Sequence, residues 1–118
     1  MGNGYVKIHR KIEDWGWYKV TNTKSVFLHL ILTAELKDGE FKGHELKRGD
    51  VGTMVLRLSS ELGLTVSQVR TALKNLIKTG EITQKPTKKF TIITVCNWEY
   101  YNDGDDSENP EFNLSQEG

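Results

Sequence analysis

Arg57-Leu58-Ser59-Ser60-Glu61-Leu62-Gly63-Leu64-Thr65-Val66-Ser67-Gln68-Val69-Arg70-Thr71-Ala72-Leu73-Lys74-Asn75-Leu76-Ile77-Lys78-Thr79-Gly80 is the stretch that decides how this chain is read. Over residues 57–62 the spacing of Leu58 and Leu62 predicts a short helix with one apolar side. Gly63 stops it, because glycine takes the left-handed backbone past a helix end without a steric penalty. Thr65-Val66-Ser67-Gln68 then fits a capping box: the Thr65 hydroxyl accepts from the amide three residues on, and Gln68 reaches back to the amide of Thr65. Val69, Leu73, Leu76 and Ile77 follow at i, i+4, i+7 and i+8, which gives a second helix one buried face as far as Gly80. Ser67, Gln68, Arg70, Thr71, Lys74, Asn75 and Lys78 point elsewhere, and none of them is an acid.

After Gly80 the period becomes strand-like. Residues 81–85 and 90–95 are rich in β-branched side chains and are separated by Pro86-Thr87-Lys88-Lys89, which predicts a hairpin with a basic tip. Upstream, Thr21-Asn22-Thr23 supplies good N-cap residues before a helix over 25–37. There Val26, Phe27, Leu28, Leu30, Ile31, Leu32, Ala34 and Leu36 leave a narrow polar stripe of Ser25, His29, Thr33 and Lys37. So broad an apolar surface predicts the central core helix. Asp38-Gly39 ends it, and residues 41–53 read as a Gly-rich connector around a short strand near 51–54. Residues 5–18 fit a short strand passing into a helical turn, or one helix throughout, with the mixture favoured. Trp98, Tyr100 and Tyr101 are expected to pack the last turn onto the core.

A short helix, a glycine turn, a second helix with a polar and basic face and then a basic-tipped hairpin together predict an α+β, mainly α, fold: a winged helix-turn-helix with a C-terminal β-hairpin wing. In such a unit the second helix enters the major groove while the first braces it across the backbone. The residue types suit that task. Arg70 can fork onto a guanine and Gln68 can pair with adenine, while Thr65, Ser67 and Thr71 are short hydrogen-bonding groups for phosphates or base edges. Lys74, Lys78, Lys85, Lys88 and Lys89 suit phosphates, which take a point charge without demanding geometry.

The net charge at first argues against such a partner. The 118 residues hold 16 Lys and Arg against 16 Asp and Glu, a formal charge of zero. Every basic residue nevertheless lies within 1–102, and six acids fall from Asp103 onward, so a body about six charges positive is cancelled by a tail about six negative. Residues 65–89 carry six of the basic residues against Glu81 alone. The organisation expected is therefore a DNA-binding domain over 1–102 and an acidic disordered tail or linker over 103–118. The tail either competes with DNA for the basic patch or is a solvated terminus.

Other chemistries find little support. His9, His29 and His44 lie in different elements without partner ligands at metal spacing, and no phosphate-binding glycine motif follows a strand, so no enzyme, metal or cofactor is expected. The lone Cys96, in an apolar run, reads as a buried inert thiol in a reducing cytoplasm. No apolar run is long enough to span a bilayer. A different class of function would place a dimer or partner surface on Trp15, Trp17 and Tyr18, since aromatics are common interface anchors.

The chain also resembles a known family. Gly4-Tyr5-Val6-Lys7-Ile8-His9-Arg10-Lys11-Ile12, Leu46-Lys47-Arg48-Gly49, Leu62-Gly63-Leu64-Thr65 with Val69-Arg70-Thr71-Ala72-Leu73-Lys74, Thr79-Gly80-Glu81-Ile82-Thr83 and Thr91-Ile92-Ile93-Thr94-Val95-Cys96-Asn97-Trp98 are similar to the N-terminal winged-helix domain of phage and prophage replication proteins related to DnaD and phage replisome organisers. The resemblance covers roughly residues 4–101. It implies double-stranded DNA binding at a phage origin or in primosome assembly, with self-association and replisome proteins as further partners. Val-Arg-x-Ala-Leu alone also recurs in GntR-type repressors, so a phage-encoded transcriptional regulator is the alternative. Two departures stand out. Met54-Val55-Leu56 replaces the usual Ser or Thr before the short helix, and an acidic tail stands where relatives continue into a domain that binds DNA or loads helicase.

Overall fold

A computed structural model describes residues 5–98 and 101, so Tyr100 and the acidic tail over 103–118 lie outside the described residues. The chain is an α+β fold. Residues 5–9 run extended, and a 3-10 helix follows over Arg10–Asp14, capped by His9, whose Nδ1 accepts from the Lys11 amide at 3.0 Å. Of the strand and helical turn expected over residues 5–18 only the helical turn is present: no strand forms before it, and the Lys7 amide donates to the Tyr101 carbonyl at 2.6 Å.

Helix α1 spans Thr21–Thr33, four residues earlier at each end than the apolar pattern predicts. Thr21, Asn22 and Thr23 form its first turn rather than its cap, because Thr23 is buried and receives the Asn75 side-chain amide at 3.0 Å. At the other end Ala34 turns extended, and the Glu35 amide donates to Asp50. Val26, Phe27, Leu30 and Ile31 are buried, as expected of a core helix, whereas Leu32 is 65% exposed and Leu36 lies beyond the helix end. The polar stripe is thus wider in space than in sequence.

Helices α2 (Val55–Leu62) and α3 (Val66–Lys78) follow strand β3 (Asp50–Thr53), and strands β4 (Ile82–Pro86) and β5 (Thr91–Val95) come last. Helix α2 starts from Met54 without a side-chain cap and ends at Gly63, in the left-handed region at φ 71°. The three strands pair antiparallel in the order β3-β5-β4. Their inner face sets Val51, Ile82, Ile93 and Val95 against a core built from α1, the apolar sides of α2 and α3, Trp15, Trp98 and Tyr101. Burying that shared apolar surface is the main driving force for bringing the layers together.

Residues 39–46 are more than a connector. They form a hairpin, β1 (Gly39–Phe41) against β2 (His44–Leu46), turned at Lys42 and Gly43, both with positive φ, 47° and 84°. Two successive left-handed residues match the natural strand twist. This hairpin covers the outer face of the three-stranded sheet. Phe41 packs with Leu46, Phe90 and Ile92, its ring edge-on to Phe90 at 4.9 Å. Gly52 makes the approach possible, since a Cβ there would stand 2.5 Å from the Phe41 ring.

One polar cluster crosses this core. The Trp15 indole donates to Glu81 Oε2 at 3.0 Å, and both residues are buried. Thr79 donates to Glu81 Oε1 and accepts the Trp17 indole at 2.9 Å. Nearby, Cys96 is half-buried rather than buried, and desolvation, reinforced by the Glu81 charge, pushes its thiol above the usual range. On the surface, Glu61 takes Arg57 Nε at 2.9 Å and lies 3.0 Å from His29 Nε2, which ties α2 to α1.

Two outcomes follow from these contacts. Trp15→Phe keeps an aromatic ring but removes a donor from a buried carboxyl, and is expected to cost about 1–3 kcal/mol in urea unfolding; an unchanged midpoint would show the bond to be idle. The Arg57 hydrogen bond, then that of His29, holds the Glu61 carboxyl below its ordinary range. A depressed carboxyl stabilises above its unfolded pKa and loses that contribution as pH falls through the folded one. The stability difference between the wild type and Glu61→Gln is therefore expected to close on acidification below the normal glutamate range; a gap constant with pH would refute the tie.

Candidate nucleic-acid interface

Helix α3 begins as its residue types dictate. The Gln68 amide donates to Thr65 Oγ1 at 3.0 Å, and the Thr65 amide donates to Gln68 Oε1 at 2.9 Å, so both halves of the capping box form. The box closes the N-terminal turn of α3 only three residues after α2 ends. Val69, Ala72, Leu73 and Leu76 make the buried face, while Ile77, expected within it, is 37% exposed at its margin.

Thr65, Ser67, Gln68, Arg70, Thr71, Lys74 and Lys78 are all exposed on α3 or at its cap, whereas Asn75 is half-buried and spent on Thr23. Arg70, Lys74 and Lys78 repeat every four residues. Like charges at that spacing destabilise a helix by roughly 0.2–0.5 kcal/mol per pair. Among the described residues none of the three is in an ion pair, and the one acid of residues 65–89, Glu81, is turned into the core. The exposed charge of this stretch is entirely positive.

The structure also sorts the predicted contacts. Gln68 has its carbonyl oxygen engaged by the cap, so a bidentate grip on adenine would have to share it; Arg70 keeps its whole fork available. Lys85, Lys88 and Lys89 are exposed on the β4–β5 hairpin, with Lys85 on the sheet's outer face, in register with Ile92 and Gly52. The hairpin tip is tight, the Thr87 amide donating to the Phe90 carbonyl at 2.7 Å. Beside this tip stand Lys42 and His44 of the β1–β2 hairpin, which lie in the stretch read as a connector. The signal for them, a Lys-Gly pair flanked by short β-compatible runs, is faint in sequence.

Trp15, Trp17 and Tyr18 do not form an exposed aromatic surface. Trp15 is a core residue, 4.9 Å from Phe27 between ring centroids, which corrects its assignment to a partner interface. Trp17 and Tyr18 are half-buried, the first bonded to Thr79 and the second covered by Lys24 Nζ at 4.0 Å. Among the described residues no group of His, Cys, Asp and Glu side chains stands where it could hold a metal ion, and no helix is long and apolar enough to cross a membrane.

Thr65→Ala is expected to lower stability by about 1 kcal/mol through loss of the cap, with helicity lost at the start of α3. Hydrogen exchange at the Gln68 amide measures this directly, and exchange as slow as in the wild type would show that the box is dispensable. Comparison with family models, curated proteins and solved structures finds no match to the chain.

Proposed function

We propose that this protein is a winged helix-turn-helix that binds double-stranded DNA without catalysing a reaction or holding a cofactor, as a phage or prophage replication initiation or primosome component of the cytoplasm. Its recognition helix is α3 and its wing is the β4–β5 hairpin. The strand preceding the helix pair, the short turn between α2 and α3, and the order β3-β5-β4 are consistent with that arrangement. The observation that carries the reading is the exposed face of α3, with three cations at four-residue spacing and no ion-pair partner among the described residues. A helix that serves folding alone gains by placing an acid among them; a helix that meets phosphates does not.

In this mechanism the cap of α3 enters the major groove, Arg70 reaches a base edge, Lys74 and Lys78 meet the flanking phosphates, and the wing lysines hold the backbone beyond. The replication role rests on the resemblance of the quoted segments, and a phage-encoded transcriptional regulator would use the same surface.

Fluorescence anisotropy with a labelled duplex across a salt series tests the proposal. Binding is expected to weaken steeply with salt, and charge reversal at Arg70 and Lys74 together is expected to weaken it by roughly tenfold or more at low salt. No binding at low salt, or a flat salt dependence, would overturn it.

A further inference from the structure

Between the two hairpin tips lies a cleft that the α3 surface does not include. Lys42 and His44 line one side, and Lys85, Lys88 and Lys89 the other. Its base is apolar, formed by Pro86 and Phe90, and no acid lines it. The register explains how this hairpin presents no acid here. Phe41 pairs with His44 and faces the wing, whereas Glu40 pairs with Glu45 on the opposite side of the ribbon, where Glu45 is further drawn off by Lys47 at 3.4 Å. The wall is firmly built: His44 packs edge-on to Phe90 at 5.1 Å, and its Nδ1 lies 3.3 Å from the Lys42 carbonyl, a contact it makes as donor.

Lys42 itself stands against local preference. Its φ of 47° belongs to a turn position where Asn, Asp or Gly is favoured, and a lysine there costs conformational energy. Its ammonium stands 5.5 Å from the Phe41 ring centroid, near the outer limit of a cation–π contact, so the turn gains little from the lysine. Four ammonium groups and an imidazole around an apolar base match a sugar–phosphate backbone, whose phosphate takes the point charges while the deoxyribose meets the apolar floor.

Resting on the DNA reading above, we infer that the β1–β2 hairpin is a second arm of the nucleic-acid surface, and that Lys42 and His44 together with Lys85, Lys88 and Lys89 clasp a backbone phosphate between the hairpin tips. The wing is then one jaw of a two-sided grip rather than a lone basic loop.

The test uses variants that respect the turn. Lys42→Asn and Lys42→Asp remove or reverse the charge while supplying residues that the left-handed position favours, so both are expected to keep the wild-type melting temperature or raise it. Lys19→Asn and Lys19→Asp, on the exposed turn before α1, make the same changes in net charge elsewhere. In the anisotropy titration of the full chain with a labelled duplex, Lys42→Asn should bind roughly three- to tenfold more weakly at low salt, with a log–log salt slope shallower by about 1. Lys42→Asp should bind more weakly still, and the Lys19 variants should stay within about twofold of the wild type. If the wild type binds with a steep slope and the Lys42 variants merely track their Lys19 counterparts, the clasp is overturned and the DNA reading stands. A Lys42-dependent affinity for polyglutamate but not for the duplex would also overturn it, marking the cleft as a site for acidic peptide. No binding by the wild type at low salt would overturn both.

Discussion

The rest of the structure hangs on one buried acid. Glu81 sits at the junction of α3 and β4, where its carboxyl gathers the Trp15 indole from the N-terminal segment and the Thr79 hydroxyl from the end of α3. Its backbone does as much: the amide donates to Leu76 and the carbonyl accepts from Cys96 at the end of β5. Three chain segments, around Trp15, residues 76–81 and Cys96, are thereby fixed at one point. A polar group buried this deeply is tolerable only when its partners are supplied, so the contacts around Glu81 form together or the site is strongly disfavoured.

The same burial shapes the surface. Because the single acid in residues 65–89 is consumed inside, the outer charges of α3 and the hairpin have no exposed acid of their own stretch beside them, and their mutual repulsion is borne by the apolar packing beneath. The outer face of the sheet repeats the pattern. The β1–β2 hairpin lays Phe41 over Gly52 and shields Ile92, and it turns its own two acids to the far side. In both places the fold separates charge by sign, which formal net charge cannot register.

Much of this was legible because it is local. The capping box, the Gly63 stop, the apolar face of α3 and the β4–β5 hairpin each depend on residues within a few positions of one another, and each lies within a residue or two of its expected bounds, apart from the marginal Ile77. What was illegible is long-range. Trp15 and Glu81 are 66 positions apart, so nothing near Trp15 distinguishes an indole bonded in the core from one offered to a partner. The start of α1 moved because Thr23 bonds Asn75, 52 residues away, and the exposure of Leu32 reflects which side of α1 the other helices leave uncovered. The β1–β2 hairpin leaves little trace in the sequence because its strands are three residues long and its turn is Lys-Gly rather than Asn-Gly. For the candidate interface, residue types could nominate the α3 positions and the wing lysines, but only the fold shows Asn75 turned inward and Lys85 sharing a face with the other hairpin.

Gln68 carries a consequence of its own. Its side-chain oxygen closes the first turn of α3, yet it is also among the groups best placed to meet whatever approaches that helix end. A ligand that draws the oxygen away must release the Thr65 amide, and the cap it undoes is worth on the order of 1 kcal/mol, comparable to a single hydrogen bond gained. Recognition through Gln68 and helix integrity therefore draw on one reservoir. At that position any ligand competes with the helix's own need for the same atom, whereas Arg70, two residues further along and outside the cap, could be engaged without loosening the element that presents it.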